Sequence, residues 1–143
     1  MRKIFICISV IVFMALILGF SNKSNSFYGE WKVQRPIAYC PIFGMDEETI
    51  KNFIGKKAIY KFDMAQFDDE ICNNPQYKEE VILDKDFFNG FHVYIKKLGI
   101  TTDSIKVIEV KDWTNPGSYL IIKDKNSLIT VWDGVFFELV RIK

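Results

Sequence analysis

The sequence holds a single histidine, His92, and no Cys-x-x-Cys pair, so the usual zinc ligand sets have no members to draw on. It has no glycine-rich phosphate loop, no serine-nucleophile elbow and no paired-carboxylate signature. The acidic run Phe67-Asp68-Asp69-Glu70 lacks the glycine and the alternating spacing of a calcium loop, and reads as a solvated turn or strand end. Charges of both signs are interspersed and form no basic stripe, which argues against nucleic acid as a partner. With no catalytic motif, the expectation is a protein that is not an enzyme and needs no cofactor or metal.

What is present begins at the N-terminus. Met1, Arg2 and Lys3 are a basic start. Ile4 to Phe20 is apolar apart from Ser9, and Ser21 to Ser26 is polar. That order is a signal peptide. A spanning helix needs about 20 apolar residues, so a retained membrane anchor is the competing reading. No cysteine follows Leu18-Gly19, which removes the acceptor of a lipid-modified N-terminus. Either way, residues 1–26 are a targeting segment. Residues 27–143 are then expected to be one extracytoplasmic domain, secreted or tethered, that meets the membrane only through that segment. Without Arg2, Lys3 and Lys23 this remainder carries 16 basic and 18 acidic residues, a net charge of −2. Its 117 residues can bury a core without disulfide staples.

Turn residues recur every eight to twelve positions between short β-branched and aromatic runs, a spacing that points to an all-β sandwich or barrel. The pattern predicts eight strands: Glu30 to Ala38, Lys57 to Asp63, Gln66 to Cys72, Tyr77 to Leu83, Ser104 to Lys111, Ser118 to Lys123, Ser127 to Trp132, and Val135 to Ile142. Asp133-Gly134 joins the last two in a two-residue hairpin, since both residues tolerate positive φ. That turn sets Trp132 opposite Val135, Thr130 opposite Phe137, and Leu128 opposite Leu139. The other face of the hairpin, with Ile129, Val131, Phe136 and Val140, is apolar except for Glu138, so something must cover it. Two helices are expected. Asp46 to Ile54 has Asp46 as its cap and Gly55 beyond its end. Asp86 to Leu98, with Phe87, Phe91, Ile95 and Leu98 at helical spacing, is the expected cover.

Tyr28-Gly29-Glu30-Trp31 opens the first strand with Gly-x-Trp, and the last strand bears a lone basic residue, Arg141. Together these resemble the lipocalin-like (calycin) superfamily, and most closely small secreted bacterial lipocalin-like proteins, which share the Asn74-Pro75-x-Tyr77 stretch. The resemblance implies an eight-stranded antiparallel up-and-down barrel. It also implies that Trp31 plugs the closed end while Arg141 packs across it. Unlike the vertebrate type, the helices here fall near the start and in the middle of the chain. Physically, an inward Arg141 needs a partner, and the face of Trp31 supplies one.

Such a barrel holds one small ligand or is filled by side chains. Tyr60, Tyr119 and Trp132 carry polar groups that need partners when buried, and Phe62 and Ile121 follow the two tyrosines at strand spacing. These five predict a modest pocket for a compact apolar molecule. The function expected is therefore ligand binding. The alternatives are a surface-interaction protein, such as an inhibitor or envelope-associated factor with a filled barrel, and more remotely an esterase- or isomerase-like enzyme in the barrel mouth. Cys40 and Cys72 are an even pair in an oxidation-permissive compartment. A bridge would tie the segment before the first helix to the barrel, and two separate thiols are the alternative. Nothing in the sequence brings Cys40 to His92 as a nucleophile–base pair.

Overall fold

The computed structural model describes residues 26–143. Residues 1–25 of the predicted signal peptide or anchor thus lie outside the described residues. No helix among the described residues is long and apolar enough to cross a membrane. The structure is a single antiparallel sheet of nine strands, curled into a half-barrel, with two helices. The strands are β1 (Gly29–Tyr39), β2 (Lys57–Tyr60), β3 (Met64–Phe67), β4 (Glu70–Asn73), β5 (Tyr77–Leu83), β6 (Ser104–Val110), β7 (Tyr119–Asp124), β8 (Ser127–Trp132) and β9 (Val135–Arg141). The helices are α1 (Glu47–Phe53) and α2 (Asp84–Phe91), and a 3₁₀ turn follows at Ile95–Leu98.

The strand order is β4-β3-β2-β1-β9-β8-β7-β6-β5, an up-and-down meander whose first and last strands pair, opened at the β4/β5 seam. Nine strands replace the eight expected because Gln66 to Cys72 is two strands, not one. Asp68 takes positive φ (54°) and the chain folds back, pairing Phe67 with Glu70 and Ala65 with Cys72. Asp tolerates this left-handed conformation better than most residues, so the Asp68-Asp69 pair makes a turn without glycine. The strand expected to run to Asp63 stops at Tyr60, and Lys61 N–H donates to the Met64 carbonyl across a turn.

The Asp133-Gly134 hairpin has the expected register: Trp132 opposite Val135, Thr130 opposite Phe137, and Leu128 opposite Leu139. Gly134 (φ 80°) and Asp133 (φ 46°) both sit in the left-handed region that such a turn demands. Helix α1 starts where its sequence says it should, with Asp46 accepting from the Thr49 N–H at 2.8 Å. Its buried Phe53 stacks on Phe137 with ring centroids 4.7 Å apart, and so closes the inside of the curl.

The sheet has a core on each face. Inside the curl, Trp31, Val33, Tyr60, Phe67, Leu120, Leu128, Phe137 and Leu139 pack with Met45, Phe53 and Trp113. Outside, α2 and the 3₁₀ turn lay Phe87, Ile95 and Leu98 over Val107, Ile121, Ile129 and Phe136. The second apolar face of the final hairpin is thereby covered, by the segment expected to cover it. That cover is not one helix. His92 takes the left-handed conformation (φ 53°) as the C-cap of α2, and the chain restarts at Ile95, whose N–H donates to Asp84 Oδ1 at 2.8 Å.

Candidate functional site

Trp31 and Arg141 face each other as register partners at one end of the β1–β9 pair. Trp31 is fully buried, and its indole N–H donates to the Phe27 carbonyl at 3.0 Å. The Arg141 guanidinium carbon lies 4.1 Å from the indole centroid, within cation–π range. Its remaining donors reach the carbonyls of Tyr28 (2.7 Å), Ser26 (2.6 Å) and Lys125 (2.8 Å). Gly29, with φ 141°, is needed here: a Cβ on it would lie 2.5 Å from Arg141 Nη1. Phe27 packs edge-on against Tyr28, Tyr60 and Tyr77. Tyr77 donates to the Lys61 carbonyl at 2.8 Å and so bridges β5 to the β2–β3 turn across the open seam. This end of the curl is built to be closed.

The inner face of the sheet carries a packed apolar cluster. Tyr60 is fully buried and donates to the Gly117 carbonyl at 2.8 Å, tying β2 to the β6–β7 loop across the inside. Burial raises its phenol well above the ordinary value. Thr130 donates to the Tyr119 carbonyl at 2.9 Å. Among the described residues, every fully buried side-chain nitrogen and oxygen has a partner.

The five residues expected to line an internal pocket do not converge. Tyr60 and Trp132 face the inner core. Ile121 and Tyr119 face the outer one, where Tyr119 packs against Phe91. Phe62 is 83% exposed in the β2–β3 turn. The strands are apolar on both sides, so period two fixed which residues share a face within a strand but not which face points inward. Tyr119 instead lines a concavity of about 370 Å³ beside Glu109, Lys111 and Trp113, where burial pushes its phenol up to about 12.

Among the described residues, two adjoining concavities lie outside the curl, between the second half of β1 and residues 92–99. Two register shifts in β1, between Val33 and Arg35 and between Pro36 and Ala38, mark bulges. They let Ile37 and Ala38 both join the outer cluster. Over them, Phe88 and Tyr94 stack with centroids 4.3 Å apart, a contact made by the chain reversal at His92. The resulting groove, of about 330 Å³, has Ile37, Ala38 and Val93 among its apolar lining, with Tyr39, Phe88 and Tyr94 as aromatic walls. It runs on, through shared Ile37 and Lys97, into a second hollow of about 300 Å³ that Arg35 and Lys123 line.

Glu138 anchors that second end. Its side chain is only 7% exposed, and both oxygens are used. Oε2 accepts from Arg35 at 2.9 Å and Oε1 from Lys123 at 2.6 Å. Burial raises its pKa, but the two cations outweigh burial and hold it below the ordinary value. Sequence reasoning noted Glu138 only as an interruption of an apolar face. A lone acid in such a strand was the available signal for the cluster, and its partners lie too far off in sequence to be paired by pattern.

Cys40 and Cys72 are free thiols, the second of the two readings that the sequence leaves open. Cys40 packs against the outer cluster and Cys72 against the inner one, so the sheet stands between them. Burial raises the Cys40 thiol, the opposite of nucleophile activation. His92 is exposed and stands edge-on to Phe88. No group of three or more His, Cys, Asp or Glu among the described residues is placed to hold a metal ion. Comparison with family models, with curated proteins and with solved structures returns no match to this chain.

Proposed function

We propose that this chain is an extracytoplasmic, lipocalin-like binding protein that takes one compact, largely apolar molecule in the groove between β1 and Phe88–Tyr94. The observation that carries this reading is the contrast between the two sides of the sheet. The inner face carries a packed apolar cluster whose buried polar atoms, among the described residues, are satisfied, while the outer groove is largely apolar, walled by aromatics and open. The Trp31–Arg141 pair and the meander closed by β1 and β9 support the lipocalin-like reading. The basic, apolar and polar order of residues 1–26 supports export, and N-terminal sequencing of the protein recovered from producing cells tests it. Ligand binding is tested by titrating the protein with the neutral probe N-phenylnaphthylamine. Tyr94→Ala is expected to weaken uptake, and Trp132→Ala, on the inner core, to leave it unchanged. Uptake lost with Trp132 and kept with Tyr94 would return the ligand to the interior.

A second reading, a surface that docks another protein, is favoured by one loop. Ile42 is 88% exposed beside Phe43, whose ring lies 5.1 Å from that of Tyr39 at the mouth of the groove. If the probe does not bind and Ile42→Ser abolishes association with a partner, this reading replaces the first.

A further inference from the structure

The groove is not uniform along its length, and its asymmetry specifies the kind of molecule it takes. Resting on the groove reading above, we infer that the ligand is an amphiphilic anion. A carboxylate head lies at the Arg35–Lys97–Lys123 end, and an alkyl or aryl body lies along Ile37 toward Tyr39, Phe88 and Tyr94. Three cations line the head end, and among the described residues the one acid joined to any of them is Glu138, which bonds Arg35 and Lys123. The two oxygens of Glu138 engage Arg35 and Lys123, and neither reaches Lys97. Among the described residues, Lys97 has no carboxylate within salt-bridge reach. Arg35 turns Nε and Nη2 to Glu138, which leaves Nη1 free on a side chain that is 62% exposed. A carboxylate set between Nη1 and Lys97 Nζ would meet two charged donors, and Glu138 already fixes the direction of the first.

The tail end has the opposite character. Its walls are the stacked Phe88–Tyr94 pair and Tyr39, and its floor is aliphatic. Between the pairs Arg35–Glu138 and Tyr39–Val135 the sheet advances three steps of β9, about 10 Å, the span of an octanoate-like chain laid along β1. Each methylene buried there is expected to tighten binding about fourfold, from about 0.8 kcal/mol per CH₂. A cationic amphiphile would meet net positive charge at the head end, and a neutral one would forfeit the charged contacts.

The experiment uses the full chain in zwitterionic lipid nanodiscs, with empty discs subtracted, titrated calorimetrically with octanoate, octanol and octylammonium. Octanoate is expected to bind most tightly and octylammonium least. Lys97→Ala is expected to weaken octanoate about fivefold and to leave octanol unchanged, since Lys97 is an exposed residue outside both cores. Tyr94→Ala is expected to weaken both. Equal affinity for octanoate and octanol, with both lowered by Tyr94→Ala, would overturn the anionic head and leave the groove standing. Octanoate binding that survives Tyr94→Ala but falls with Lys97→Ala would show a surface charge effect only and overturn the inference. If none of the three ligands binds, the groove reading and the inference fall together.

Discussion

Replacing Arg141 by alanine removes two kinds of interaction, and they differ in size. The guanidinium lies 4.1 Å from the centroid of a fully buried indole, so the desolvated cation–π contact contributes about 2 kcal/mol. Three carbonyls also lose a charged donor. Those of Ser26 and Lys125 belong to exposed hydrogen bonds, so water replaces the donor at little cost. The bond to Tyr28 is partly buried, and its loss costs a further 1 kcal/mol or about that. The expected destabilisation is roughly 3 kcal/mol, read as a lower urea midpoint by far-UV circular dichroism. Arg141→Lys keeps the charge but not the planar fork, and is expected to recover about half of the loss. A double-mutant cycle with Trp31→Leu isolates the pair, with an expected coupling of at least about 1 kcal/mol. A coupling indistinguishable from zero, with the two single variants merely additive, would refute the claim that the guanidinium acts through the indole.

Gly117→Ala places a methyl 2.7 Å from both Phe67 Cδ2 and the Tyr60 hydroxyl at φ 83°, so it is expected to destabilise by about 2 kcal/mol or more in a urea titration. Glu138 is held below its ordinary value of 4.5 in the folded state, so its contribution is present above that value and lost as pH falls through the lowered one. Glu138→Gln is expected to flatten the acid limb of the stability–pH curve, and an unchanged limb would show that other carboxylates govern it. Cys40 and Cys72 are expected to alkylate separately under denaturing, non-reducing conditions, with the intact mass unchanged by reductant. A mass two hydrogens lower before reduction would show a bridge.

Much of the fold was legible because local chemistry and tertiary demand agree. The Asp133-Gly134 turn dictates its own register, and Asp46 caps α1 by short-range hydrogen bonding. The failures come where local pattern and tertiary placement part. Tyr60 and Phe62 alternate like strand neighbours, yet the chain turns at Lys61 and leaves Phe62 in solvent. Asp86 to Leu98 keeps a helical apolar period through His92, although the backbone reverses there. Histidine accepts the left-handed conformation more readily than most residues, and Gly90 two positions earlier was a further hint of the break. The candidate groove was out of reach for a different reason. It exists only once the two bulges in β1 and the reversal at His92 are set against each other, and neither leaves a mark in hydrophobic periodicity.

The pairing of the first strand with the last has a temporal consequence. Arg141 and Tyr28, bonded at 2.7 Å, stand 113 positions apart along the chain. Loop closure over such a distance must precede its reward, which slows folding relative to proteins of local contacts. Until residues 135–141 are available, β1 can pair only with β2, and one edge of an eleven-residue strand stays exposed to other chains. A chain shortened by its final strand would carry that exposed edge permanently, together with the unpaired edge of β8. Its fate would be aggregation rather than a loosened version of the same domain.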